Sequence, residues 1–196
     1  MSRTKKLTAL IVTCVMCFVA AITLIAHNGI RYNAYAASAS KIEMVDGAEI
    51  RVAEGAQSGL RFIGKVNNEL FADKEALKLN DGVTVGMLVI PQSLLDGELT
   101  LDTAEAQNRV IEKWDTARSD ETFMRFNVAI TEIPQEYYGT AVVARAYVTE
   151  NGVTTYSDKT VIRSVAQVAS IALAEGVADD DGTIKAFVDG VIPRSA

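Results

Sequence analysis

The sequence predicts a mostly-β sandwich of the immunoglobulin or fibronectin type III kind, carrying a crossover helix and a C-terminal helix. Three observations predict it. Several stretches alternate apolar and polar residues with the period of a strand that has one buried face, as in GLRFIGKVN at residues 59–67. Asn151-Gly152 separates two such runs, the mark of a two-residue hairpin turn. Only two capping-box spacings, Asp102–Glu105 and Ser164–Gln167, are followed by apolar residues at helical spacing, which keeps the helix count low. A two-layer α+β sheet with both helices on one face is the alternative, and the helix spacing does not separate the two.

The chain of 196 residues opens MSRTKK and continues into an apolar run over residues 7–26. A basic start before an apolar core is the plan of a secretory signal. Ala34-Tyr35-Ala36 supplies the small-x-small pattern for cleavage, followed by ASAS. The reading is a signal peptide over residues 1–36, a linker over 37–46, a β-sandwich module over 47–176 and a C-terminal tail over 177–196. An apolar run of this length also suits an uncleaved N-terminal membrane anchor. Lipidation is disfavoured, because Thr13 and Met16 precede Cys14 and Cys17 where a small residue is needed.

The mature module is expected to begin with a strand over residues 48–53, in which Ala48, Ile50 and Val52 alternate with Glu49, Arg51 and Ala53. The next strand is GLRFIGKVN, with Leu60, Phe62, Gly64 and Val66 facing inward. Residues 67–82 read as a long loop with one helical turn. The apolar run at 83–90, bounded by Gly82 and Pro91, reads as a central strand covered by helices on both faces. Asp102-Thr103-Ala104-Glu105 has capping-box spacing, and with Val110, Ile111 and Trp114 it predicts a helix over 103–114. Residues 123–131 alternate with Met124, Phe126, Val128 and Ile130 inward.

A type I′ turn at Asn151-Gly152 sets the hairpin register, placing Thr149 opposite Thr154 and Tyr147 opposite Tyr156. Val142, Ala144, Ala146 and Val148 then face the core, while Arg145, Tyr147, Thr149, Thr154 and Tyr156 share the other face. Ser164-Val165-Ala166-Gln167 caps a last helix with Val165, Val168, Ala169 and Ala172 on its apolar face, and Gly176 stops it. No internal repeat or low-complexity tract is present.

Composition excludes several chemistries. Cys14, Cys17 and His27, the only cysteines and histidine, precede the expected cleavage site. The mature chain would therefore have no Cys/His metal site, cysteine nucleophile, histidine base or disulfide. Four of the 19 basic residues leave with the signal and all 25 acidic residues stay, so the charge becomes 15 minus 25, or −10. That balance disfavours nucleic acid and anionic membrane surfaces as partners. The run Asp179-Asp180-Asp181-Gly182 lacks the spacing of a twelve-residue calcium loop and reads as a solvated turn. No carboxylate pair stands in an aromatic setting suited to glycoside hydrolysis. The expectation is a non-enzyme without cofactor or metal.

The order GAEIRV, GLRF, VGMLVIP, a strand ending near Tyr137 and Tyr138, ARAYV and SVAQVA resembles a module of secreted and surface proteins of clostridia-like Gram-positive bacteria. The resemblance covers roughly residues 47–175. It implies an extracellular β-sandwich beside binding or adhesion modules and carries over no functional residue. Separately, LRFIGKVN is similar to a strand of the fibronectin type III domain of irisin, which implies a hormone-like ligand acting on host cells.

One surface stands out. If the strands of GLRFIGKVN, FMRFNVAIT and ARAYVTE lie in one sheet, Arg61, Lys65, Arg125, Arg145, Tyr147 and Tyr156 share its outer face. Arginine and tyrosine dominate binding hot spots. The expected function is a secreted module that binds a cell-wall glycan, a host glycan or a host protein there. The same residues also have a structural reading, since cross-strand tyrosines stabilise sheets and outer arginines pair with glutamates. A structural or adhesion role without a small-molecule ligand therefore stands beside the binding role.

Overall fold

Strand periodicity is realised as two antiparallel sheets packed face to face. The computed structural model describes residues 40–51, 59–176 and 185. The signal segment, its cleavage site, the cysteines, His27 and the Asp179–Gly182 run lie outside the described residues.

The strands are β1 (Ile42–Met44), β2 (Glu49–Arg51), β3 (Gly59–Asn67), β4 (Phe71–Asp73), β5 (Lys78–Leu79), β6 (Val83–Pro91), β7 (Gln107–Val110), β8 (Phe123–Thr131), β9 (Val142–Glu150), β10 (Val153–Tyr156) and β11 (Val161–Arg163), followed by α1 (Val165–Ala174). In the first sheet β3 is central. β1 and β2 share one of its edges, and β8 pairs along the other from Gly59↔Thr131 to Asn67↔Phe123. In the second sheet β9 is central, with β6 on one edge, β10 and β11 sharing the other, and β7 outside β6. β4 and β5 form a small separate hairpin between β3 and β6.

Alternation decides which side chains fill the sandwich. Leu60, Phe62 and Val66 of β3 and Phe126 of β8 meet Val85, Met87, Ala144, Ala146 and Val148 of the second sheet. Gly64 belongs to the same inward set, and its lack of a side chain is used directly. It lies opposite Phe126, whose Cζ would be 2.3 Å from a β-carbon at that position.

The hairpin is as the sequence predicts. Asn151 and Gly152 adopt φ of 49° and 84°, and Tyr147 pairs with Tyr156. The last helix also follows its capping box, with Ser164 Oγ accepting from the Gln167 N–H at 3.1 Å.

Three expectations are corrected. The segment read as a linker over 37–46 contains β1, whose Ile42 and Met44 are buried in the core. Only three residues long, β1 offers too few alternations to stand out as a strand. The helix over 103–114 does not form, and the crossover helix is thus absent. Thr103 Oγ1 instead accepts the Thr100 N–H at 2.8 Å, Glu105 turns left-handed at φ 63°, and residues 107–110 pair with β6. Residues 107–110 stay exposed, so what the edge of β6 offered was backbone pairing, and it carries Ile111 into the core. β6 is buried on both faces, but residues 92–106 provide the outer cover in place of helices. Leu99 and Leu95 there pack on Leu88, Ile90, Val143 and Tyr147.

Candidate functional site

The outer face of the first sheet is built by residues that alternate with the core set. Arg61, Ile63 and Lys65 of β3 and Arg125 of β8 stand on it, each partly exposed. Register sets their neighbours. Lys65 lies between Glu43 and Arg125, and the backbone of Asp115 bridges to Arg125 on the far side. Arg61 lies between Glu49 and Ala129.

Most cations on this face are already engaged. Lys65 Nζ is 2.8 Å from Glu43 Oε2 and 4.5 Å from the Phe123 ring centroid. Glu49 holds two arginines, Arg61 at 3.1 Å through Oε2 and Arg118 at 2.6 Å through Oε1. The hydrogen bond to Glu49, and then its charge, raise the pKa of the Arg118 guanidinium above its usual value. Arg125 is different. Among the described residues its guanidinium forms no ion pair.

Beside this face lies an open cleft of about 540 Å³. Arg118, Arg125 and Ile63 line it together with Arg163, Val168 and Ile171. Arg163 belongs to β11 of the second sheet, and α1 follows it directly. The cleft therefore exists because the chain passes from the second sheet to the helix that packs beside β2. Asp46, Glu49 and Glu175 also line it, so three acids balance three arginines in an otherwise acidic chain.

The predicted six-residue surface is divided. Arg61, Lys65 and Arg125 lie on the first sheet, and Arg145, Tyr147 and Tyr156 on the second. The two groups do not share a face. Moreover, Arg145 and Tyr147 are only 8% and 2% exposed, because residues 92–106 fold over them.

That second group is a bonded cluster. Arg145 donates through Nε to Ser157 O at 3.1 Å and through Nη1 to Leu99 O at 3.1 Å and Glu98 Oε1 at 2.6 Å. Its guanidinium lies 4.8 Å from the Tyr156 ring centroid, and the Tyr156 hydroxyl accepts the Leu101 N–H at 3.0 Å. The Tyr147 hydroxyl donates to Asn108 Oδ1 at 2.8 Å, and its ring fills the space over Gly86. Burial raises the pKa of this phenol. The cluster ties the β6–β7 connection to the second sheet, which is a structural task.

Arg118, Arg163, Ile63 and Ile171 were not singled out by sequence. Arg163 directly precedes a recognisable helix cap, but nothing local ties it to a strand of the other sheet. No family model, curated protein or solved structure matches the chain. Among the described residues there is no cluster of metal-ligating side chains, and no helix is long and apolar enough to cross a membrane.

Proposed function

We propose that this chain is a secreted, extracellular binding module and that its first sheet receives an anionic group of a cell-wall glycan, a host glycan or a host protein. The observation that carries the reading is Arg125, which forms no ion pair among the described residues and lines one open cleft with Arg118 and Arg163. Guanidinium groups suit carboxylate and phosphate because their donors are planar and paired. Ile63 and Ile171 add apolar lining, so a ligand can bury surface beside its charge.

The apolar run at residues 7–26 and the Ala34-Tyr35-Ala36 pattern support export. The resemblance to modules of secreted and surface proteins is consistent with that setting. Arg145, Tyr147 and Tyr156 play no part in this proposal, because they serve the second sheet. The proposed activity is binding without turnover, cofactor or metal.

Arrays of anionic and neutral glycans, together with host cells, provide the test. Binding to anionic members should weaken with salt and should be lost in an Arg125→Glu, Arg163→Glu double variant. A folded double variant that binds as well as the parent overturns the reading.

A further inference from the structure

β8 has one edge on β3 and another that, among the described residues, only the Asp115 bridge to Arg125 engages as a strand pairing. Arg125 shows which backbone groups face outward: its N–H donates to Ser119 Oγ at 2.8 Å, and its carbonyl accepts the Asp115 N–H at 2.8 Å. Because backbone direction alternates along a strand, Asn127, Ala129 and Thr131 point their N–H and C=O groups the same way. Beyond Arg125, no described strand covers them. All three residues are exposed, and none is charged or a proline. Natural sheets usually guard such an edge with charge, proline or a bulge.

A second feature lies at the end of this edge. An apolar cleft of about 340 Å³ opens where the two sheets part. Ile130, Ile133, Pro134 and Tyr137 line one side, with Pro91 and Val142 of the second sheet on the other. Tyr137 is 55% exposed although its ring borders the cleft.

We propose that β8 and this cleft take an extended peptide segment of another protein, which adds a strand along Asn127, Ala129 and Thr131 and places an apolar side chain in the cleft. The two features fit one occupant. A row of outward donors and acceptors is what an extended backbone satisfies, and the side chains of an added strand alternate between faces. The peptide residue beside Ile130 would point inward, toward the cleft. A second copy of this chain fits less well. Its own β8 has Phe126 and Val128 already buried in its own sandwich, so it would pair the edge and leave the cleft unfilled.

The test is selection of phage-displayed linear heptapeptides on the full chain. Enriched peptides should carry apolar residues at alternate positions, and added peptide should protect the amides of Asn127, Ala129 and Thr131 from exchange. Ala129→Pro removes an outward N–H without removing a β3 hydrogen bond and should weaken binding about tenfold or more, while Tyr137→Ala should weaken it several-fold. If Ala129→Pro does not fold, amide protection in the parent chain and the Tyr137→Ala affinity decide. The proposal is overturned if no peptide is enriched, if protection falls elsewhere, or if folded Ala129→Pro binds normally. It is equally overturned if the chain self-associates through this edge, shown by loss of the dimer in Ala129→Pro.

Discussion

Arg145 lies beneath the chain that covers the second sheet, with its guanidinium 4.8 Å from the ring of Tyr156 and two of its nitrogens on the carbonyls of Ser157 and Leu99. The contacts join the 92–106 connection to both arms of the β9–β10 hairpin. Arg145→Ala leaves those carbonyls without their donor and removes packing from Tyr156, which should cost about 2–4 kcal/mol. Urea unfolding measures it. Glu98→Ala should cost only about 0–1 kcal/mol, because the Glu98 side chain is 70% exposed and its charge is screened.

Gly64→Ala should destabilise by about 1–3 kcal/mol, since the new methyl enters the space of the Phe126 ring. Thermal unfolding of the variant gives the value. In a Phe126→Leu background the added methyl should cost less, and a double-mutant cycle would show that coupling.

Arg125→Glu should change stability by no more than about 0.5 kcal/mol, because the side chain makes no ion pair among the described residues. Ligand binding at the first-sheet cleft should nevertheless fall. Arg61→Ala is the matched control, since it loses only a half-exposed pair with Glu49. Parallel denaturation and binding measurements separate the two effects.

Two groups give opposite pH responses. The Asp120 carboxylate accepts the N–H groups of Phe123 and Thr122, and these bonds lower its pKa. A lowered folded pKa gives stability that is present above the unfolded pKa of about 3.9 and is lost as pH falls through the folded value. Asp120→Asn should therefore flatten the acid limb of the melting temperature against pH. The buried Tyr147 phenol has a raised pKa. Its contribution is full below the unfolded pKa of about 10 and is lost as pH rises through the folded value. Ultraviolet titration should show one phenol ionising late, and Tyr147→Phe should remove that component.

Legibility of the site followed the range of the forces involved. Arg61, Lys65 and Arg125 were visible as outward positions because alternation alone assigns a face. Their partners were not. Glu49 reaches Arg61 across β2 and β3, and also Arg118 from a remote connection, through pairings that no local pattern encodes. Arg145 and Tyr147 were assigned to the correct face of β9, yet that face was taken as wet. Its cover comes from residues 92–106, whose Leu95 and Leu99 are too sparsely spaced to announce a buried strand or helix.

By itself the sequence determined the strand alternation, the inward set of β3, β8 and β9, the Asn151-Gly152 register and the Ser164 cap. Each depends on backbone geometry over a few residues, where side-chain direction and turn chemistry act alone. Tertiary structure decided that residues 107–110 become an edge strand, that the arginines and tyrosines divide between two sheets, and that Arg163 meets Arg118 and Arg125 at one cleft. Those outcomes depend on which free edges and apolar faces meet in space, and contacts between distant segments outweigh local propensity when they bury more surface and satisfy more hydrogen bonds.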